Sequence, residues 1–429
     1  MDVKRAKGTR DFFYEDELLR QDVLKTLVEV FELYGYNPLE TPILEAYETL
    51  ASKYGGGAEI LKETFRLKDQ GKRDLGLRYD LTVPLARFIA CNPQLKMPIK
   101  RYQIGSVFRD GPMKTGRYRE FTQCDVDVVG VKDVEADAEV VALAERVFKK
   151  LKLDVVIKIN NRKVLDALMI QLSVPKAQCE DVMLSLDKLE KIGLEGVQEE
   201  LKQKGLRSAV LPRLFESVLR EGTNQEKLQY FWKLLGECEG LNEMEKVLAL
   251  SGKNVEFDPC LARGLSYYTG TVFEVYLRDK SITSSLAAGG RYDRMICAFV
   301  GKEGYEAVGI SFGLDVMCDV LKQKGLGTKK SVCQVYIIPI QALKEGMQVA
   351  EELRDEGVLC DVDVQGRGIS KNLEYASVMK IPYVVIVGKK ELLQKKVKLR
   401  DMVSGKEEMV SVKEVIQRLV TGLGDSKGL

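Results

Sequence analysis

The chain has 429 residues, enough for two to four domains at roughly 100–200 residues each, and its 45% apolar and 30% charged composition is that of a globular protein. Its 66 Lys+Arg nearly cancel its 64 Asp+Glu, so a nucleic-acid site has to be local and not a field of the whole chain. No residue is a histidine, which excludes Ser-His-Asp and Cys-His nucleophiles, histidine-ligated zinc, H-x-E deaminases and the H-R-D loop of protein kinases.

The first segment, MDVKRAKGTRDFF, has no apolar stretch of the secretory kind, and a cytoplasmic protein is expected. Leu19, Val23, Leu27, Phe31 and Tyr34 repeat at helical spacing over residues 16–34, and Gly35 supplies a stop. Tyr36–Leu44, with Pro38 and Pro42, reads as extended chain, and Gly55, Gly56 and Gly57 as a loop. Short strands and turns are expected up to Gly130. Asp133 is expected to cap a helix with Val140, Ala144, Val147 and Leu151 on one stripe, followed by a strand at Val155–Ile159.

From residue 164 to 254 glycines and strand patterns thin out, and amphipathic helices dominate, among them Glu180–Ile192 and Gln225–Leu235. Trp232 is expected in the core there. Strand texture returns at Asp258–Leu277 and Leu286–Tyr292, followed by a helix over Asp315–Lys324. Gly325, Gly327, Lys329 and Lys330 read as a linker. Beyond it, Val332–Pro339, Leu343–Glu356, Cys360–Val364, Ser370–Met379 and Tyr383–Val387 alternate strand and helix, the pattern of an α/β unit with a parallel sheet. A strand at Val397–Leu399 and a helix at Val412–Val420 close it. The expected division is a catalytic domain in two segments, 1–163 and 255–325, a helical insertion at 164–254, a linker at 326–330 and a C-terminal domain at 331–429. No apolar run approaches the roughly 20 residues of a membrane span. The nine cysteines are scattered without a C-x-x-C, which argues against disulfides or an all-cysteine zinc site.

Five stretches are candidates for carrying chemistry. In Arg101–Gly130 two β-like segments flank a loop with Arg109, Lys114, Arg117 and Arg119, which suits a polyphosphate, and Phe121 suits stacking on a base. A solvated hairpin loop accounts for the same charges. After the loop, Gln123, Asp125 and Asp127 lie two apart on one strand face, a poor core pattern but a good floor for a binding site. In Leu77–Arg87 (LRYDLTVPLAR), Asp80 and Thr82 share a strand face and suit an ammonium, or else mark a strand end before Pro84. Leu261–Tyr268 (LARGLSYY), with Gly289–Asp293 (GGRYD), offers an arginine and tyrosines to a polar planar ligand, or is a hairpin packed on its tyrosines. Gly309–Leu314 (GISFGL) is weak alone, because it is neither a G-x-G-x-x-G nor a P-loop. Lys389, Lys390, Lys395, Lys396, Lys398 and Arg400 read equally as a phosphate-contact patch or a solvated hairpin.

Together these residues resemble the histidyl-tRNA synthetase family of class II aminoacyl-tRNA synthetases, from Lys7–Phe12 (KGTRDF) essentially to the C-terminus. LARGLSYYTG and GGRYD resemble the two histidine-binding signatures of that family. YGYNPLETPILE resembles motif 1, FRDGPMKTGRYREF motif 2, and AVGISFGLDVM stands where motif 3 belongs.

The resemblance implies an α/β (α+β) fold. An antiparallel-sheet catalytic domain would carry a helical insertion, followed by a C-terminal α/β anticodon-binding domain. It implies ligation of L-histidine to histidine tRNA through a histidyl-adenylate, with ATP and Mg²⁺ as the substrate complex, no tightly bound cofactor or metal, no membrane, and a homodimer formed through motif 1. Arg109 would meet the α-phosphate. Arg117 and Arg119 would meet nucleotide and acceptor stem, and Phe121 would stack on adenine. Asp80, Thr82 and Gln123 would hold the ammonium. Asp127 and Tyr268 would bracket the imidazole, and Tyr267 and Tyr292 would line the same pocket. Arg263 would stabilise charge at the α-phosphate.

Two positions depart from the family pattern: Val316 stands where motif 3 carries arginine, and Ser266 where many members have Asp. The alternative within the same resemblance is a histidine-sensing regulatory paralogue. Such paralogues typically lack the C-terminal domain, which this chain has. The missing histidines also gain a regulatory meaning, since a chain that charges histidine yet contains none is still translated when charged histidine tRNA runs out.

Overall fold

The computed structural model describes residues 3–51, 61–112, 118–263, 267–327 and 329–422. Gly55–Gly57, Lys114, Arg117 and Ser266 lie outside them. The described residues divide into two compact units. One draws on Met1–Arg10 and Leu24–Val320, the other on Asp11–Val23 and Leu321–Leu429. The first helix, Glu15–Leu33, is divided between them. Its acidic first turn (Glu15, Asp16, Glu17) suits the positive end of the helix dipole, and Leu19, Val23, Leu27, Val30 and Phe31 are its buried stripe. No helix among the described residues is long and apolar enough to cross a membrane.

The first unit contains β1 (Asn37–Pro38), β2 (Leu44–Ala46), β3 (Arg66–Lys68), β4 (Asp74–Leu77), β5 (Ile99–Phe108), β6 (Glu120–Val129), β7 (Val155–Asn161), β8 (Val255–Phe257), β9 (Thr271–Leu277), β10 (Ala287–Arg291) and β11 (Ala307–Gly313). Eight of these form one sheet in the order β1-β5-β6-β11-β10-β9-β7-β8, and β2-β4-β3 form a small second sheet. The large sheet is antiparallel except where β1 meets β5 and β8 meets β7 at its ends. Alternation gives its centre two unlike faces. Cys124, Val126 and Phe312 point to one face, where Phe312 lies 5.6 Å from Phe31 and 5.9 Å from Phe148 of the helix Glu135–Lys150. Gln123, Asp125, Asp127 and Ser311 point to the other. The helices Thr82–Ala90 and Asp293–Val300 share a cluster of Leu85, Ala86, Ile89, Tyr292, Met295 and Ile296.

Helices fill the chain between β7 and β8, from Arg162–Gln171 to Glu239–Leu250. The expected helix over Glu180–Ile192 is instead two. Cys179–Leu186 ends in a turn at Asp187–Lys188, and the next, Leu189–Gln203, is broken at Gly193, whose φ of 71° a helix cannot hold. The helix Asn224–Leu235 starts at a capping box in which Thr223 and Glu226 bond each other's backbone. Trp232 is not core: its indole donates to Glu245 at 2.6 Å and is half-buried, and Phe231 takes the core position at 1% exposure. Asp133 does not cap its helix through the carboxylate; its carbonyl accepts from Ala136 and Arg291. The strand expected over Asp258–Leu277 forms only from Thr271, because the chain before it is held as a loop by Asn160.

The second unit builds β12 (Val335–Ile340), β13 (Cys360–Val362), β14 (Tyr383–Gly388), β15 (Val397–Asp401) and β16 (Glu407–Val410) into a sheet ordered β13-β12-β14-β15-β16. The expected parallel sheet is parallel only across β13, β12 and β14; β15 and β16 pair antiparallel. Both faces are buried, as helices on two sides require. Val335 and Ile337 pack with Val349, Leu353 and Leu419, while Tyr336 and Ile338 pack with Ala376 and Ile381. In the basic stretch, Lys398 and Arg400 pair with Glu407 at 3.2 and 2.8 Å, so part of it is neutralised across β15 and β16.

One buried ion pair ties the first unit together. Arg291, at the end of β10, pairs with the fully buried Asp137 on Glu135–Lys150, with Asp293 at 3.2 Å, and with the carbonyls of Val131 and Asp133 at 2.9 and 3.0 Å. Arg291→Met leaves Asp137 buried and uncompensated, and is expected to cost about 3–5 kcal/mol of stability. Adding Asp137→Leu should restore much of it. Denaturant unfolding of the single and double variants checks this, and equal loss in both would refute the pairing.

Candidate active site

The centre of the polar sheet face is three matched rows. Arg101 on β5 lies opposite Asp127 on β6, Gln103 opposite Asp125, and Gly105 opposite Gln123. On the other side of β6, Gly309, Ser311 and Gly313 of β11 continue the rows. Arg101 and Asp127 are 2% and 3% exposed and form an ion pair at 2.8 Å. The Tyr292 hydroxyl donates to the other Asp127 oxygen. Burial pushes Asp127 above the usual carboxylate range, opposed by Arg101 and the Tyr292 hydrogen bond. Asp125 is pushed up to about 7 by burial; Arg101 opposes this, Asp127 adds to it, and Ser311 and Asp80 act more weakly, the first lowering and the second raising. Ser311 accepts from the Gln123 amide at 3.0 Å. Gln123 Oε1, Asp125 Oδ1, and Nε and one terminal nitrogen of Arg101 are buried without a hydrogen-bond partner.

Over this floor comes the segment Asp80–Thr82. The expected strand there is a helix start. Thr82 opens Thr82–Ala90, and Pro84 falls within its first turn, where no N–H is needed. Asp80 and Thr82 therefore do not share a strand face. Asp80 Oδ1 accepts the backbone N–H of Thr82 and Val83 at 3.0 and 2.9 Å, holding the turn. Burial raises Asp80, while the Val83 N–H, Arg109 and Arg101 pull it down, so both arginines bear on this carboxylate. Arg101 also donates to the Leu81 carbonyl at 3.2 Å, tying the segment to the floor.

The third wall is the loop before β9. The buried Asn160 amide donates to the carbonyls of Pro259 and Leu261 at 3.2 and 3.0 Å. That fixes the approach to Arg263, which pairs with Glu274 of β9 and lies 5.7 Å from the centre of the Tyr268 ring. The Tyr267 ring centre is 4.6 Å from Tyr268 and 6.4 Å from Tyr292. Burial raises the Tyr267 and Tyr292 hydroxyls well above their ordinary value, with Tyr268 and Asp80 adding for Tyr267 and Asp127 for Tyr292, so both stay protonated donors. Arg263 and Tyr268 also line a small cavity with Arg162, Leu165, Met183 and Val272.

At the hairpin end, the Arg109 guanidinium lies 4.2 Å from the Tyr79 ring centre and 4.9 Å from Phe121. Arg119 turns elsewhere, to Asp110 at 3.0 Å, and its N–H donates to Gly8. Arg10 stacks 3.6 Å over Tyr118 and pairs with Asp315, whose carboxylate also accepts the Thr122 N–H at 3.2 Å.

The structure thus brings together Asp80, Thr82, Arg109, Phe121, Gln123, Asp127, Arg263, Tyr267, Tyr268 and Tyr292 around one polar floor. It sets Arg119 at the margin; Arg117 is outside the described residues. Sequence reasoning missed Arg101 and Glu274, the partners of Asp127 and Arg263. The signal was there: Arg101 and Gln103 alternate on β5 as Gln123, Asp125 and Asp127 do on β6. Chemically, the floor offers buried hydrogen-bond acceptors to a ligand rich in N–H, with guanidinium groups at both ends for anions.

An antiparallel sheet with arginines set around a polar floor is the arrangement of a class II aminoacyl-tRNA synthetase catalytic domain. The family model for histidyl-tRNA synthetase matches residues 8–317, and one for an anticodon binding domain matches residues 334–421. The chain belongs to the histidyl-tRNA synthetase family. It is 44% identical over 420 residues to histidine–tRNA ligase 1 of Bacillus anthracis, covering 96% of this chain and 98% of the relative. The crystal structure of histidyl-tRNA synthetase from Nostoc sp. PCC 7120 superposes with a TM-score of 0.86 at 31% identity, covering 98% of this chain and all of that one. A Bacillus halodurans structure described as an ATP phosphoribosyltransferase regulatory subunit/histidyl-tRNA synthetase has a TM-score of 0.74 at 24% identity, over 90% of this chain and 99% of that one, a likeness of fold.

Close approach at β11 is a testable feature of the floor. A Cβ on Gly309 would fall 2.0 Å from Asp127 Oδ1 and 2.8 Å from the Val126 carbonyl, whereas on Gly313 it would meet nothing nearer than 3.5 Å. Gly309→Ala is therefore expected to destabilise the protein by about 1–3 kcal/mol, and Gly313→Ala by much less. Thermal unfolding of both variants checks this, and equal effects would contradict the geometry.

Proposed function

We propose that the chain ligates L-histidine to its tRNA in two steps at this site. The histidine carboxylate attacks the α-phosphate of ATP, forming histidyl-adenylate and releasing diphosphate. A tRNA hydroxyl then attacks the activated carbonyl, and AMP leaves. The first step needs no protein base, because the carboxylate is already the nucleophile. The site has to align two anions and neutralise the charge that develops between them.

The observation that carries this reading is the Arg101–Asp127–Tyr292 group on the sheet floor. Its buried carboxylate suits one imidazole N–H, and Tyr268 suits the other ring nitrogen. An apolar ring of the same size would leave these groups unpaired. Asp80, Thr82 and Gln123 hold the ammonium in this proposal. Asp80 Oδ2 and the unpartnered Gln123 Oε1 are the acceptors that remain after helix capping. Tyr267 and Tyr292 line the pocket. Arg109 meets the α-phosphate and Arg263 stabilises it during attack. Phe121 stacks on adenine; Arg117 and Arg119 contact nucleotide and acceptor stem. Magnesium comes with ATP as part of the substrate complex.

Arg10 is a further cation held beside Asp315, next in chain to Val316, which supports adenylation without the motif 3 arginine. The segment 164–254 is proposed as the insertion of the catalytic domain and 331–429 as the anticodon-reading domain. Exposed Leu33, Ile43 and Leu44 around motif 1 support a homodimer, and a cytoplasmic location is proposed with it.

Histidine-dependent ATP–diphosphate exchange is the direct test, and the unmodified protein is expected to show it. Arg263→Ala should lower the exchange rate about 10²–10³-fold, with histidine binding within a fewfold of normal. Asp127→Ala should weaken histidine far more than ATP. No exchange despite measurable histidine binding would leave a sensor and not a ligase.

A further inference from the structure

Asp125 is the member of the β6 polar row that the proposed chemistry leaves idle. It is 4% exposed; the Ser311 hydroxyl hydrogen-bonds the carboxylate, but its Oδ1 has no hydrogen-bond partner. A buried acceptor without a donor is costly unless a ligand supplies one. Its neighbours on every side are polar. Arg101 and Gln103 come from β5, Asp127 from its own strand, Ser311 from β11, Asp80 from the segment before Thr82–Ala90, and Tyr292 from the start of Asp293–Val300. Gln123, two residues away on the same face, has an unpartnered Oε1 as well.

Charge points the same way. Three buried carboxylates, Asp80, Asp125 and Asp127, face Arg101, and Asp80 faces Arg109 as well; Arg78, beside Gly105, and Arg263 are balanced by Glu40 and Glu274. With every group ionised the floor is left one negative charge in excess. Without a ligand, a proton on Asp125 removes that excess, in keeping with a carboxyl group pushed up to about 7. The α-ammonium of a zwitterionic ligand offsets it instead where it meets the floor, with the ligand's carboxylate directed away.

We propose that Asp125 is a third β6 contact in the histidine site, accepting a hydrogen bond from the substrate's α-ammonium and losing its proton to solvent as the ammonium enters. This rests on the ligase reading of the site. The ammonium is the partner because Asp127 and Tyr268 already serve the ring. Asp80, the other carboxylate at the ammonium end, has one oxygen committed to the helix start. The proton balance is simple: the carboxylic O–H breaks, its proton goes to buffer, and the carboxylate gains an N–H donor. The direction in pH follows. Below neutrality the substrate has to displace a proton, so affinity falls as pH drops through 7.

The test is calorimetry of histidine binding at pH 7 in two buffers of different ionisation heat, with the unmodified protein and Asp125→Asn, alongside KM for both substrates in exchange. After subtracting the change of histidine itself, the unmodified protein should release a measurable fraction of a proton per histidine, and Asp125→Asn none. Asp125→Asn should raise the histidine KM roughly tenfold or more, with the ATP KM within about twofold. Equal proton release by both proteins, a histidine KM within twofold of normal, or equal losses for both substrates would each overturn the proposal. If Asp125→Asn fails to fold, the unmodified protein decides alone, since absence of release beyond that of histidine refutes it. Failure of the ligase reading is a separate result: the unmodified protein then neither binds histidine nor exchanges diphosphate, and both proposals fall.

Discussion

The buried pairing of Arg101 with Asp127 is the constraint on which the site depends. Two charges at 2% and 3% exposure are expensive to bury, and their attraction offsets that cost only when geometry and further hydrogen bonds are good. Here the Tyr292 hydroxyl donates to one Asp127 oxygen, and the Leu81 carbonyl engages Arg101. These partners come from a β5–β6 hairpin, the start of one helix and the turn before another. Holding the pair together therefore holds together the three elements that surround the floor. Folding such a group without a ligand leaves other atoms unsatisfied, on Gln123, Asp125 and Arg101 itself. These open valences share one surface.

The opposite sheet face explains why this is affordable in stability. Cys124, Val126, Ile310 and Phe312 alternate with the polar positions and are buried, Phe312 against Phe31 and Phe148. A strand with one apolar face keeps its register even when the other is charged, because a slip of one residue would exchange the two. Arg291 does similar work at the far end, where its pair with Asp137 locks β10 to the helix Glu135–Lys150 and so sets Tyr292, the next residue, over Asp127. The signature GGRYD thus sets a structural residue, Arg291, beside Tyr292, which is proposed to line the binding pocket.

Much of this was legible in the sequence, for reasons that have limits. Period-two alternation exposed the β6 row, and the tyrosine and glycine signatures exposed the third wall. The helix at Thr82–Ala90 was not legible, because Pro84 reads as a breaker unless its place in a first turn is known, and Asp80 was then misread as a strand residue. Trp232 reads as core from the neighbouring Leu228, Leu234 and Leu235, but its indole N–H reaches Glu245. Alternation on β5 marks Arg101 as a floor residue, but not its pairing with Asp127 26 residues away, nor that of Arg263 with Glu274 11 residues away, which spacing rules within one element do not reach. The absence of histidine from the chain, at first only a filter on chemistry, fits a site that works with guanidinium, carboxylate and phenol groups.

In the proposed site, buried polar groups read the amino-acid ring through its nitrogens. The most direct measurement is the ratio of kcat/KM for histidine over phenylalanine in ATP–diphosphate exchange by the unmodified protein. Groups built to hydrogen-bond both ring nitrogens predict a preference of about 10⁴ or more. Phenylalanine activated within about 100-fold of histidine, the discrimination of a merely apolar pocket, would contradict it.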